Sequence, residues 1–182
     1  MWSWKSSKIG KQGVQSVKTV VVVGNPKPGS RTRTAGERLA RALGGNTETI
    51  ELSELGPGLL GWGDPAVAEA VAKVQSAQVA IIASPTFKAT YTGLLKLFLD
   101  QFAGGTGLRD VVAIPLMLGG GPAHALAVET SLRPVLVEIG AVCPTAGLYQ
   151  LDSTFDTDSS LADWVERWVP TVARAVLPAA DR

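Results

Sequence analysis

Ser84-Pro-Thr-Phe-Lys-Ala-Thr-Tyr-Thr-Gly-Leu-Leu-Lys-Leu-Phe-Leu-Asp100 is the stretch that decides the fold. It follows the apolar run Gln78-Val-Ala-Ile-Ile-Ala83, so it begins where a buried strand ends. It stays polar and turn-rich for several residues, then becomes a strongly apolar helix after Gly93. In an open α/β sheet, ligands bind in the crevice beyond the carboxyl ends of the strands. A loop of this kind is where a flat ligand would lie. Gly24-Asn-Pro-Lys-Pro-Gly-Ser-Arg-Thr32 has the same character and follows the first strand.

That first strand is the near-continuous β-branched run Val17-Lys-Thr-Val-Val-Val-Val23, the composition of a strand buried on both faces. Ala35, Leu39, Ala42 and Leu43 then recur at helical spacing, and Gly44-Gly45 stops the helix. Thr47 to Leu52 reads as a second strand, and Ser53 to Gly63 as a glycine-rich loop. Asp64-Pro65 opens a helix, with aspartate as cap and proline in the first turn. Gln78 to Ala83 is the third strand, and Gly93 to Phe102 a helix closed by Gly104-Gly105.

Val111 to Leu118 is the fourth strand, with a bulge expected at Pro115 because proline removes a ladder donor. Pro122-Ala-His124 is expected to open a helix, with a kink or irregular turn near Thr130 set by Pro134. Ala141 to Leu151 reads as the fifth strand, and Leu161 to Val172 as a final amphipathic helix bent by Pro170. Strict alternation of strand and helix argues for a parallel sheet covered on both faces. Right-handed crossovers give five strands the flavodoxin-like order 2-1-3-4-5.

The 182 residues suffice for one domain with a substantial core, and 46% of them are hydrophobic. Residues 1–16 read as a flexible extension before a single domain over 17–182. A net charge of +1 gives no broad field for nucleic acid. No segment reaches the roughly 18–20 apolar residues that a membrane helix needs. The N-terminus lacks the apolar core of a secretory signal, so a cytoplasmic location is expected. Cys143, the single cysteine, has no disulfide partner and reads as a buried, inert thiol.

Three glycine-rich turns fall at strand ends. In the first, Ser30, Thr32 and main-chain amides converge on a helix N-terminus, an arrangement suited to an anion, and Arg31 adds charge. It has neither a Walker ending nor the G-x-G-x-x-G spacing, and an ordinary proline-rich surface turn is nearly as good a reading. The second turn offers Pro85, Thr86, Phe87 and Lys88 to a planar ring, although Phe87 can equally cover the core and Lys88 suits solvent. The third, Gly119-Gly-Gly121, permits close backbone approach. His124 has no second histidine or cysteine beside it, and a local hydrogen-bonding role suits it as well as a ligand contact. No G-x-S-x-G elbow supports serine hydrolase chemistry.

These three stretches, the third extended through Gly119 to Leu136, resemble the NAD(P)H-dependent FMN reductase family of flavodoxin-like proteins. The likeness is greatest to the FMN reductases that serve alkanesulfonate monooxygenases. It implies FMN and NAD(P)H as cofactors and hydride transfer from nicotinamide to flavin, with no protein acid or base required. It implies that Asn25, Lys27, Ser30, Arg31 and Thr32 hold the phosphate. Pro85, Thr86, Phe87 and Lys88 would hold the ring, and Gly119, Gly120, Gly121 and His124 its far side. Two positions depart from the family's pattern. Phe87 stands where a tyrosine is common, and Thr130 where sulfonate-linked members can carry an aromatic residue inserted in an irregular helical turn.

The helix Leu94 to Phe102 is apolar on nearly all sides. Its second face is expected to be bare in a monomer, which argues for a homodimer or homotetramer through residues 93–102, with the helix around Thr130 as a second contact. A neighbouring loop over that face is the alternative. A flavin-dependent monooxygenase is the implied downstream partner. The rival functions are a quinone, azo-dye or metal-oxyanion reductase on the same site, and a flavodoxin-type electron carrier. Flavodoxins tend to be strongly acidic, which the near-neutral charge disfavours.

Overall fold

A computed structural model describes residues 17–176, so the expected flexible extension over 1–16 lies outside the described residues. Strand β1 (Lys18–Val23) is flanked by β2 (Asn46–Glu51) and β3 (Val79–Pro85). Strands β4 (Val112–Gly119) and β5 (Leu148–Leu151) follow outward from β3. Every pairing is parallel, and the order is β2-β1-β3-β4-β5, as the alternation predicts.

The valine run of β1 shows why the sheet is covered on both sides. Val20 to Val23 are all fully buried, and successive side chains enter opposite cores. Val21 and Val23 meet α1 (Arg31–Leu43) and α5 (Ser160–Ala175) through Ala35, Leu39, Trp164 and Val172. Val20 and Val22 share the other core with α2 (Pro65–Gln75), α3 (Gly93–Leu99) and α4 (Arg133–Glu138), through Val67, Leu95, Phe98 and Leu136. Asp64 caps α2 as its sequence predicts, accepting from the amides of Ala66 and Val67 at 2.9 and 3.1 Å.

The loop over 53–63 contains two short 3₁₀ turns, Leu52–Glu54 and Gly56–Leu60. Both pack on α3, and Leu94 and Leu97 are partly buried against the core. The expected bare second face of α3 is therefore largely covered by this loop. The helix itself ends at Leu99, and two i→i−3 bonds carry the chain on to Phe102.

The expected bulge at Pro115 is absent: β4 keeps unbroken register with β3, and Ile82 lies opposite Pro115. The reason is the neighbouring strand. The fifth strand does not run through Ala141–Leu151. It makes one bridge at Val142, breaks, and resumes at Leu148. The Ala113 amide donates to the Val142 carbonyl at 2.8 Å, and backbone alternation turns Pro115 to that same side. The missing proline donor thus faces the break, where no ladder acceptor is required.

The segment after β4 is more irregular than one kinked helix. A 3₁₀ turn at Pro122–His124 leads to a π-helical turn at Val128–Leu132, and α4 begins only at Arg133. The irregularity falls at Thr130, where the sequence places it. The π turn aligns Glu129 and Arg133 to bind the broken strand. Glu129 accepts from the Gly147 amide at 2.5 Å, and Arg133 donates to the carbonyls of Cys143, at 2.9 Å, and Thr145. Cys143 is partly and not fully buried, and lies in the break of the fifth strand; desolvation still pushes its thiol above its ordinary value. Helix α5 continues through Pro170 to Ala175.

Candidate functional site

The turns after β1, β3 and β4 emerge side by side at the carboxyl edge of the sheet. The first is built around the start of α1. Ser30 caps the helix, its hydroxyl accepting from the Arg33 amide at 3.4 Å, and the preceding amides of Arg31 and Thr32 are left without intrahelical partners. Asn25 shapes the approach. Its side-chain oxygen accepts from the Lys27 amide at 2.9 Å, and its NH₂ donates to the Thr32 hydroxyl at 3.1 Å.

A buried carboxylate holds this turn from behind. Glu51, at the end of β2, is 5% exposed. Both its oxygens accept from the Gly29 amide at 3.1 Å, and one accepts from Arg33 Nη1 at 2.7 Å. Gly29 sits at φ 62°, the left-handed region that glycine enters without steric cost. Arg33 also bonds Glu37 at 2.8 Å, and these two carboxylates hold its guanidinium above the ordinary value.

The three turns are tied to one another. Thr92 caps α3, with its hydroxyl accepting from the Leu95 amide at 3.1 Å. The same hydroxyl donates to the Gly24 carbonyl at 2.5 Å, joining the second turn to the first. The Thr86 amide donates to the Leu118 carbonyl at 2.6 Å, joining the second to the third. Beyond Thr86 the chain makes a two-residue hairpin, closed by paired main-chain bonds between Phe87 and Thr90. Lys88 and Ala89 occupy its tip at φ 52° and 68°. Consecutive left-handed residues other than glycine are uncommon, and such strain concentrates at functional loops.

The cleft between the turns has a volume of about 440 Å³, within the range of small-ligand sites. Asn25, Lys27, Ser30, Arg31 and Thr32 line it from the first turn. Pro85, Thr86 and Phe87 line it from the second, and Gly119 and Gly120 from the third. Three sequence candidates fall outside it. Lys88 is exposed in the hairpin tip, and His124 is exposed in the 3₁₀ turn. The carbonyl of Gly121 is turned to the Tyr149 hydroxyl, which donates to it at 2.6 Å.

Sequence reasoning missed Glu51, Tyr149 and Asp152. Asp152, just after β5, also lines the cleft and pairs with Arg31 at 3.1 Å. Each of the three acts through contacts between residues far apart in the chain, which local patterns do not reveal.

Chemically, the cleft offers an anion site at one end, where amides and hydroxyls surround the positive end of α1. At the other end, Phe87 and the flat backbone of Gly119 and Gly120 flank the space. The Thr86 hydroxyl is buried and has no partner among the described residues. A phosphorylated, planar, polar-edged molecule fits this set.

Fold and cleft together define a flavodoxin-like protein, with the cleft at the strand ends of a 2-1-3-4-5 sheet. Residues 17–156 match the family described as NADPH-dependent FMN reductase. The chain belongs to that family, and it is an oxidoreductase that works with FMN and a reduced nicotinamide. It is 28% identical to an FMN reductase (NADPH) of Pseudomonas aeruginosa, over 88% of this chain and 91% of that protein. It is 30% identical to the NADH-dependent FMN reductase SfnF of Pseudomonas fluorescens, over 91% and 89% of the two chains. A 38% match to the FMN reductase (NADPH) of Escherichia coli spans 49% of this chain and 46% of that protein. Among solved structures, the apo NADH:FMN oxidoreductase EmoB superposes with a TM-score of 0.77 and 28% identity, covering 90% and 91% of the two chains. A flavodoxin of Streptococcus pneumoniae, at 15% identity and a TM-score of 0.61, shares the fold.

No helix of the described residues is long and apolar enough to cross a membrane.

Proposed function

We propose that the cleft holds FMN, with the phosphate at the start of α1 and the ring between the second and third turns, and that the reduced flavin serves a monooxygenase. The observation that carries this reading is the convergence of the start of α1, Thr86–Phe87 and the Gly119–Gly120 backbone on one cleft. FMN, when bound, supplies the hydride-accepting chemistry.

The chain's own work is to bind and orient. Ser30, Thr32 and the α1 amides hold the phosphate. Lys27 and Arg31 add positive charge beside it. Thr86 and the Gly119–Gly120 backbone meet the ring's polar edge, where main-chain donors favour negative charge. Phe87 covers one side of the space, half exposed, and leaves room for a nicotinamide. No side chain needs to move a proton for hydride transfer to occur.

The matched relatives are named for both NADPH and NADH, so the reading takes NAD(P)H as reductant. Such a reaction suits the cytoplasm. Self-association is part of the same proposal. A groove of about 390 Å³ between α3 and α4 has a floor of Leu99, Phe102 and Ile139, all buried, and a rim with Val135 and the charged Lys96 and Glu138. A second copy would fill it, giving a homodimer or homotetramer.

Competing turnover tests the acceptor. Initial rates of NADPH and NADH oxidation are compared with excess free FMN, a quinone and an azo dye. Fastest turnover with free FMN is expected. Turnover with a quinone or azo dye but not with free FMN moves the protein to the bound-flavin reductases.

A further inference from the structure

We infer that Asp152 sets how strongly the cleft holds the flavin phosphate, by restraining Arg31 in a charge pair at the cleft wall. This rests on the proposed placement of FMN. Among the cleft-lining residues the cations are Lys27 and Arg31, and Asp152 is the one carboxylate. Arg31 Nη2 lies 3.1 Å from Asp152 Oδ2, and Arg31 Nη1 donates to the Asp152 main-chain carbonyl at 3.2 Å.

The two arginines of the first turn differ in what they can do. Arg33 is fixed by two carboxylates, one of them the buried Glu51. Arg31 is held in an open pair, its side chain 63% exposed and that of Asp152 38% exposed. An exposed pair of this kind is weak and exchanges readily. An arriving phosphate therefore competes with Asp152 for Arg31, and it also meets the like charge of the Asp152 carboxylate. Both effects weaken phosphate binding. The fold thus carries a built-in limit on FMN affinity, suited to a flavin that leaves after reduction.

Asp152→Asn separates the charge from the scaffold, because the bond from Arg31 to the main-chain carbonyl can persist. Flavin fluorescence titration of the full chain with FMN and with riboflavin, which has the ring but lacks the phosphate, reads the effect. Asp152→Asn is expected to tighten FMN about three- to tenfold at low salt and leave riboflavin unchanged. The gain should shrink as salt rises and fall in the Arg31→Gln background, where only the direct repulsion from Asp152 is left to relieve. Unchanged or weakened FMN binding in Asp152→Asn, with wild-type binding intact, overturns this inference alone. Equal tightening of both flavins also overturns it, since the phosphate is then not the group involved. Wild-type protein that binds neither flavin overturns the placement of FMN and this inference with it.

Discussion

The Tyr149 hydroxyl lies 1.8 Å from where a Cβ on Gly119 would be, so glycine at 119 and the tyrosine beside it form a matched pair. The same hydroxyl donates to the Gly121 carbonyl at 2.6 Å. Strand β5 thereby fixes the third turn of the cleft. Gly119→Ala must displace the phenol and release that carbonyl. The expected result is a loss of flavin affinity of about tenfold or more, roughly 1.4 kcal/mol, in a protein that still folds. Tyr149→Phe removes only the hydrogen bond and should cost about 1 kcal/mol of stability. Fluorescence titration and thermal melts read the two effects.

Thr86 predicts a gain in stability on losing its hydroxyl. Its hydroxyl is buried and unpartnered, a situation that costs about 1–3 kcal/mol relative to a satisfied group. Thr86→Val keeps the shape and removes the polar atom. The flavin-free variant should melt higher than wild type and bind FMN about as well. A variant that melts lower would contradict the reading of this hydroxyl as an unsatisfied buried group.

Glu51 predicts a phosphate-side defect. Glu51→Ala strips the acceptor from the Gly29 amide and leaves Arg33 with Glu37 alone. Losing bonds to a buried carboxylate should lower stability by about 1.5–3 kcal/mol. FMN binding should fall by more than riboflavin binding, because the turn that shapes the phosphate site is released. Denaturant unfolding and paired flavin titrations check both parts.

Glu129 predicts a pH dependence. Its hydrogen bond to Arg133 holds the carboxyl below its ordinary value of 4.5. A carboxylate with a lowered folded-state value stabilises the fold fully above that ordinary value, and the contribution is lost as pH falls through the folded-state value. Wild type should therefore lose stability below about pH 4.5 more steeply than Glu129→Gln. At neutral pH the variant should be about 1–2 kcal/mol less stable, since the Gly147 amide and Arg133 lose a charged partner. Thermal melts across pH 3–7, about the range that spans this transition, measure it.

Much of this architecture is legible in the chain. The valine run of β1, the Asp64-Pro65 helix start and the glycine turns after three strands carry the fold and most of the cleft, because each is a local pattern. The misreadings are equally instructive. Ala141 to Leu151 reads as one strand, but Pro144 and Gly147 interrupt it, and Arg133 binds the carbonyls freed by the break. Pro115 looks disruptive until the interruption beside it is known. The bare face predicted for α3 is largely covered by 3₁₀ turns, which leave no periodic signal. Arg31 finds its partner 121 residues away, a pairing that only the folded sheet creates.

Anaerobic mixing of FMN-supplemented protein with NADPH, and separately with NADH, tests the central claim most directly. The signal is the oxidised-flavin absorbance at about 450 nm. Rapid bleaching, with repeated turnovers when free FMN is in excess, is the predicted result, and the faster nicotinamide identifies the reductant. Bound FMN that neither nicotinamide bleaches would contradict the account and leave a carrier or binding protein in its place.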